Sequence, residues 1–381
     1  MTVTIVPLGE VASIVSGFAF KSDLFNDAGD GLPIVRIRDV TAGTSRTFYS
    51  GTFREEFVVD DGDALVGMDG EFNLGIWRGG RSLLNQRVCR IEAADKRLSQ
   101  EYLVRFLPRA LKDIEARTPF VTVKHLSAKE LRAINLPLPP IPEQRRIAAI
   151  LDKADALRAT RREAVAKLDQ LLKSVFLDMF SGSDRWPMVA IGDMCEVKGG
   201  KRLPKGEDYS ESVTPFRYIR VSDIEMGHVH EENLRYLKPG VQQKIKRYTV
   251  SEGDLIISIA GTIGLVAPVE TTLDGANLTE NAARIVPKDV GAYVPEYLSF
   301  ALSMPDAQSQ IRSQTGQVTI GKLALFRIEK VKVPLPPVEA QIRFSEIVRR
   351  SREQARTLLQ SANQLDSFFA SLQYRAFSGT L

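Results

Sequence analysis

The sequence predicts a mixed α/β (α+β) fold made by tandem duplication. Two similar domains are separated by two long helices packed as an antiparallel coiled coil, with pseudo-two-fold symmetry. Three observations predict this. Short motifs return in the same order in both halves. Each half carries short apolar runs broken by Gly, Pro, Asn and Asp, the mark of strands and turns. Each half then ends in a long stretch without proline or glycine that has helical periodicity.

The repeat is the firmest of these. Leu136-Pro-Leu-Pro-Pro-Ile-Pro-Glu-Gln-Arg-Arg-Ile147 returns as Val333-Pro-Leu-Pro-Pro-Val-Glu-Ala-Gln-Ile-Arg-Phe344, displaced by 197 residues. Thr122-Val-Lys-His-Leu126 returns as Thr319-Ile-Gly-Lys-Leu323 at the same displacement. Upstream, Glu101-Tyr-Leu103 matches Glu296-Tyr-Leu298, and Arg90-Ile91 matches Arg284-Ile285. Asp61-Gly-Asp-Ala-Leu-Val66 matches Glu252-Gly-Asp-Leu-Ile-Ile257, and Pro33–Asp39 resembles Pro215–Asp223. Chance does not keep such matches colinear. Between the anchors the halves diverge, as at 40–60 and 70–85.

The elements follow in order. Runs at 33–40, 57–59, 65–68, 88–91, 216–221, 255–259 and 282–286 read as strands, with helical stretches at 99–116 and 294–312. The Pro-Leu-Pro-Pro punctuation closes each domain. Ile141-Pro142-Glu143 and Val338-Glu339 open the long helices, with proline and acids in the first turn. Ser181-Gly182 and Ser378-Gly379 stop them. The boundaries predicted are 1–141 and 183–337 for the domains, 142–182 and 338–381 for the helices. A stripe runs along 147, 150, 154, 157, 161, 164, 168, 171 and 175, and its repeat along 344–372. One reading is that each helix covers its own domain. The other is that the two stripes face each other, since a helix of ~38 residues is ~57 Å long and would overhang a domain of ~140 residues.

Composition narrows the function. The chain has 381 residues, 44% hydrophobic and 26% charged, an ordinary globular balance. No apolar run reaches the ~20 residues that span a bilayer, so no membrane partner is expected. Met1–Pro7 lacks the basic start and apolar core of a signal peptide, and two cysteines cannot form a disulfide framework, so a cytoplasmic setting is expected. The net charge of +4 permits an anionic partner without requiring one.

Signals for catalysis and cofactors are missing. There is no phosphate-binding Gly-Lys-Ser/Thr loop and no Gly-x-Gly-x-x-Gly, and Gly199-Gly-Lys-Arg202 has the wrong spacing. His228-Val-His230 lacks a third ligand at metal spacing. Cys89 reads as a small core residue. Asp61, Asp63, Glu252 and Asp254 flank glycines and read as turn residues. The expectation is a binding protein with no cofactor, no metal and no catalytic residue.

At this point the residues match a known family. The duplicated plan, the two Pro-Leu-Pro-Pro-(Ile/Val)-x-x-Gln motifs, and Gly67-Met-Asp-Gly-Glu-Phe-Asn73 followed by Leu84-Asn-Gln-Arg-Val-Cys-Arg-Ile91 resemble the specificity subunit of type I restriction–modification systems. The resemblance covers essentially the whole chain. It implies that each domain is a target recognition domain reading one half of a split site in double-stranded DNA. It implies that the paired helices space the domains and dock two methyltransferase subunits, with restriction subunits joining through these. It implies no catalytic residue. Ala340 stands where the first copy has Glu143, so the two helix starts are expected to meet partners unequally. Gln144, Arg145, Gln341 and Arg343 are the expected partner contacts. A coiled-coil adaptor that never touches DNA is one competing reading, and an enzyme using paired carboxylates such as Asp61 and Asp63 is the other.

DNA recognition needs cations for phosphates and Arg, Asn, Gln or Lys for base edges. The candidates in the first copy are Lys21, Arg36, Arg38, Asn73, Arg78, Arg81, Asn85, Gln86, Arg87 and Lys124. In the second they are Lys201, Arg202, Lys205, Arg217, Arg220, Thr262, Asn281, Gln317 and Lys322. Gly70–Arg81 mixes glycines with Phe72, Asn73, Trp77, Arg78 and Arg81, and reads as a loop able to approach a groove, which makes Phe72 and Trp77 candidates too. A core position for the two aromatics is the alternative. The counterpart, Ala260–Gly264, is short and neutral.

Overall fold

A computed structural model describes residues 4–118, 124–181, 185–289, 291–313 and 322–380. The chain divides into two compact units. One comprises Met1–Arg162 with Gln360–Leu381, and the other Glu163–Leu359.

In the first unit, β1 (Thr4–Pro7) pairs with β8 (Asn135–Leu138). The central antiparallel sheet orders β2 (Ala12–Ser16), β7 (Val88–Ala93), β4 (Ala64–Gly67) and β5 (Leu74–Ile76). A second sheet contains a parallel pair, β3 (Leu32–Val35) beside β6 (Ser82–Leu84). Helix α1 (Gln100–Arg117) starts at Ser99, whose hydroxyl accepts the Tyr102 N–H at 3.2 Å. It buries Tyr102, Leu103, Phe106, Leu107 and Leu111 against the central sheet.

The second unit repeats this plan. β9 (Met188–Ala190) pairs with β16 (Lys332–Pro334). The central sheet orders β10 (Cys195–Gly199), β15 (Ala282–Pro287), β12 (Leu255–Ser258) and β13 (Val266–Pro268). The parallel pair is β11 (Arg217–Ile219) beside β14 (Asn277–Leu278). Helix α3 (Pro295–Ser303) carries proline in its first turn. The same strand order in the central sheet and a parallel strand pair in the second sheet mark one scaffold used twice.

The long helices are α2 (Ile141–Phe180) and α4 (Val338–Phe377). Each unit contains the start of one and the end of the other. In the first unit Ile147, Leu151 and Ala154 share a core with Phe369, Leu372 and Ala376. The Arg158 guanidinium lies 4.4 Å over the Phe369 ring and bonds Asp366 at 2.5 Å. In the second unit Phe176 and Phe180 pack on Phe344 at 5.3 and 5.5 Å. Both pairings run antiparallel. The seam keeps Ile147, Ala154, Phe344 and Leu372 of the stripe expected and departs from it by one residue at other positions. Leu157, Leu171, Ile347 and Phe368 are exposed, while Leu151, Leu172, Phe176 and Val348 are buried.

Two other expectations are corrected. Gly70–Arg81 is not a free loop, because Leu74–Ile76 forms a strand in the central sheet. Phe72 and Trp77 are therefore core residues, 1% and 0% exposed. The Trp77 indole N–H donates to the Gly80 carbonyl at 2.7 Å, so its one polar atom is satisfied within the fold. Gln144 and Gln341 are also buried and cannot be surface contacts. Each has its amide bonded to the backbone of its own domain.

Asp63 and Asp254 behave as turn residues. Their carboxylates accept the N–H groups of Asp60 and Ser251, each at 2.9 Å. Cys89 and Cys195 are free and buried, and burial pushes both thiols up to about 12. No helix is long and apolar enough to cross a membrane, and no His/Cys/Asp/Glu group fit for a metal exists among the described residues.

Candidate nucleic-acid interface

One strip of surface recurs at the same place in both units, and two glycines create it. A Cβ on Gly17 would sit 2.1 Å from the Asn85 carbonyl oxygen, and one on Gly200 2.1 Å from that of Thr279. Only glycine lets the chain cross its neighbour so closely. The crossing is fixed by equivalent bonds. Gly17 N–H donates to Val88 O at 2.9 Å, and Gly200 N–H to Ala282 O at 3.0 Å. The residue after each glycine follows suit, Phe18 to Leu84 O at 2.9 Å and Lys201 to Leu278 O at 2.8 Å.

Four candidates of the first unit gather along this strip: Asn85, Gln86, Arg87 and Lys124. Gln86 N–H donates to Phe18 O at 2.8 Å, and the Gln86 side chain is exposed. Arg87 has a left-handed backbone, with φ of 72°. Its carbonyl accepts Met68 N–H at 2.8 Å, which ties the strip to the turn after β4. Its Nε lies 3.5 Å from an Asp69 oxygen, and the other Asp69 oxygen lies 2.5 Å from Nδ1 of His125. Lys124 donates to Glu115 O at 2.7 Å.

Lys201, Arg202, Asn281 and Lys322 gather in the second unit. Asn281 O accepts Ile259 N–H at 2.8 Å, the counterpart of the Arg87–Met68 bond. Arg202 Nε pairs with a Glu280 oxygen at 3.2 Å, and Lys322 Nζ donates to Glu280 O at 3.3 Å. Lys201, Arg202, Glu280 and Lys322 line an open depression of about 600 Å³ with Gly199, Gly200 and Ile259.

The remaining candidates lie elsewhere. Arg36 and Arg220 are committed to the fold. Their guanidinium groups pair with Asp39 at 3.3 Å and Asp223 at 2.6 Å, and each Asp also accepts the backbone N–H of its arginine. Arg217 donates to the Thr272 carbonyl. Arg81 pairs with Glu55 at 2.6 Å on the surface, and Asn73 bonds Glu71 at 3.3 Å. Lys21, Arg38, Arg78, Lys205 and Thr262 are exposed, as are Arg145 and Arg343 on the helices. Gln317 lies outside the described residues, as do Thr122, Val123 and 319–321 of the repeat.

Sequence reasoning passed over Phe18, Asp69 and His125. Pairing Gly17 with Gly200 would have exposed the first, since the same step pairs Phe18 with Lys201.

The comparisons with known proteins bear on this geometry. The family model described as "Type I restriction modification DNA specificity domain" matches residues 2–168 and again 183–363. The chain belongs to the type I restriction–modification DNA specificity family. Among relatives, the Escherichia coli EcoBI type I restriction enzyme specificity subunit is 34% identical over 373 residues, covering 91% of this chain and 77% of its own. A Methanocaldococcus jannaschii counterpart, the MjaVIII specificity subunit, is 22% identical, covering 77% and 72%. The crystal structure of a type I system S subunit from M. genitalium matches with a TM-score of 0.55 at 16% identity, covering 99% of this chain and 96% of that one. A chain from a study of type I system assembly and conformational transition matches with a TM-score of 0.57 at 18% identity, covering 99% and 98%. These two likenesses concern the fold. The family's tandem match falls on the two copies of the scaffold read above.

Proposed function

We propose that this chain is the sequence-specific DNA recognition subunit of a type I restriction–modification complex. Each domain, within 1–141 and 183–337, reads one half of a split target. The helices dock methyltransferase subunits, and restriction subunits join through these. The chain contributes recognition and assembly rather than catalysis, and it acts in the cytoplasm. The observation that carries this is the recurring strip. One frame presents Phe18, Gln86 and Arg87 in one unit and Lys201, Glu280 and Asn281 in the other. A repeated frame with different side chains suits two different half-sites.

Three features support docking along the helices. Leu157 and Phe368 are exposed at 54% and 55%, and the Arg158–Asp366 register sets them level in the first unit. Leu177 and Ile347 are exposed and level in the second. Leu171 lines an open groove with Gln354 and Leu358. Exposed apolar stripes of this kind suit partner helices. Arg145 and Arg343 stand one residue beyond the buried glutamines at the two helix starts. A charge excess of only +4 suits a subunit whose partners complete the phosphate clamp.

The test is to express the chain with its methyltransferase subunit, weigh the complex, and map methylated sites by sequencing. The expected result is one recognition subunit with two methyltransferase subunits, and a target of two short half-sites around unread bases. A complex that assembles but leaves no footprint on any DNA would favour the adaptor reading instead.

A further inference from the structure

The residue after the pinned glycine differs in kind between the two units, although its backbone N–H is held in the same way. Phe18 and Lys201 leave the sheet through equivalent backbone bonds. Both then lie against an equivalent ring. Phe18 is 5.1 Å from Phe57, and Lys201 Nζ is 5.9 Å from the ring centre of Tyr248. Those rings correspond, since Val59 and Val250 follow at the same buried place, and the next residues, Asp60 and Ser251, bond Asp63 and Asp254 alike. The frame is kept and the tip is changed, from a phenyl ring to an ammonium.

The core does not need the ring at this place. Phe18 is 44% exposed, and Phe20 beneath it supplies the buried contact at 7% exposure. Lys201 is exposed and makes no ion pair among the described residues, while Glu280 beside it holds Arg202. The Arg54 guanidinium lies 5.6 Å from the centre of the Phe18 ring, and the rest of each tip is open to a ligand.

We infer that this position reads one base in each half-site, a thymine through Phe18 and a guanine through Lys201. The inference rests on the DNA-reading function proposed above and adds the class of base. A phenyl ring can make no directional hydrogen bond, and thymine alone offers the major groove an apolar group, its C5-methyl. An ammonium donates and cannot accept. Guanine alone presents two adjacent acceptors, O6 and N7. The surroundings agree. Gln86, bonded to Phe18 through the backbone, can serve adenine as Phe18 serves thymine. Lys201, Arg202 and Lys322 together outnumber Glu280, leaving net positive charge suited to the acceptor-rich guanine edge and its flanking phosphates.

The test maps methylated sites for the complete complex carrying Lys201→Met, Lys201→Arg, Phe18→Ala, Phe18→Leu or Phe18→Tyr. Lys201→Met should lower discrimination for guanine at one position of one half-site by about ten-fold or more, and Lys201→Arg should keep it. Phe18→Ala should relax a thymine in the other half-site, and Phe18→Leu should keep it. Phe18 also packs on Phe20, so Phe18→Tyr is the safeguard against misfolding. It keeps the ring but sets a hydroxyl against the methyl, and thymine preference should fall as for alanine. An unchanged target in both Lys201→Met and Phe18→Tyr overturns the inference. So does a uniform loss of methylation at all sites with a reduced salt dependence, which marks a phosphate contact. A wild-type complex that methylates no split target overturns the function proposed above as well, which separates the two failures.

Discussion

The side-chain carbonyl of Gln144 accepts the backbone N–H of Ser99 at 2.8 Å, tying the first turn of one long helix to the cap of the domain helix α1. The Gln144 amide also donates to Arg97 O at 2.7 Å and Pro139 O at 2.8 Å. Gln341 repeats the device with Val294 N–H at 2.9 Å and Pro336 O at 2.8 Å. The glutamine of each Pro-rich motif is therefore a joint between helix and domain. Gln144→Ala would strand three backbone groups in a dry site, at about 1–3 kcal/mol or more. Gln341→Ala strands two and should cost less. Denaturant unfolding measures both, and a Gln144→Ala variant within about 0.5 kcal/mol of wild type would refute the joint.

Much of the fold was legible because duplication leaves a signal that local propensity does not. The motifs at 136–147 and 333–344 are one element met twice, and the structure repeats strand order around them. What failed was side-chain direction. Gln144 reads as surface because an amide in a helix start is usually exposed. Only the tertiary bonds to Ser99 and Arg97 bury it. The seam holds to the stripe at Ile147 and Ala154 and departs from it by one residue beyond them. Arg158 occupies it by laying its guanidinium on Phe369, while Leu157 next door faces outward. Apolarity alone cannot see that exchange. In Gly70–Arg81 the glycines suggested a loop. One of them, Gly75, is instead a strand residue pressed against Val40, where a Cβ would lie 1.9 Å from its carbonyl oxygen. Of the candidate strip, the motif at 84–91 draws attention to Asn85–Arg87, whereas Phe18 lies outside every repeated motif.

The two helix ends should differ in worth. Phe180 is 3% exposed and sits 5.0 Å from Tyr297, with Phe176 and Phe344 completing the cluster. Phe377, its counterpart, meets Tyr102 and Phe106 at 5.5 and 5.2 Å but is only partly buried. Phe180→Ala should destabilise by about 3–5 kcal/mol through the cavity it leaves. Phe377→Ala should cost clearly less. Equal losses in denaturant unfolding would contradict the packing described.

His230 should report pH. It bonds Glu225 at 2.8 Å and Glu232 at 3.1 Å, and its ring stands 5.3 Å from that of His228. Burial alone lowers its affinity for a proton, but the two carboxylates outweigh this, so its pKa lies above the ordinary imidazole value. The stabilisation is fully present below that ordinary value and is lost as pH rises through the folded-state value. An NMR titration should place His230 above a free imidazole, and Glu225→Gln should bring it down. A His230 that titrates at or below the free value would exclude the pairing.

If the helices set the half-site spacing, as the proposed function requires, lengthening them should lengthen the target. Antiparallel pairing at Arg158–Asp366 and at Phe180–Phe344 sets Ala166 level with Leu358. Four residues inserted after each position add ~6 Å to both helices together. An insertion in one helix alone would have to bulge or slip against its partner. Base pairs rise by ~3.4 Å, so the unread spacer of the target should grow by one or two base pairs, with both half-sites unchanged. Four residues exceed one helical turn slightly, so local unwinding of the pair absorbs a small rotation. Sequencing the methylated sites of the doubly extended variant reads the outcome directly. A folded, active variant that still methylates the original spacing would mean that the helices do not set the distance, and would remove the spacer role from the function proposed for this chain.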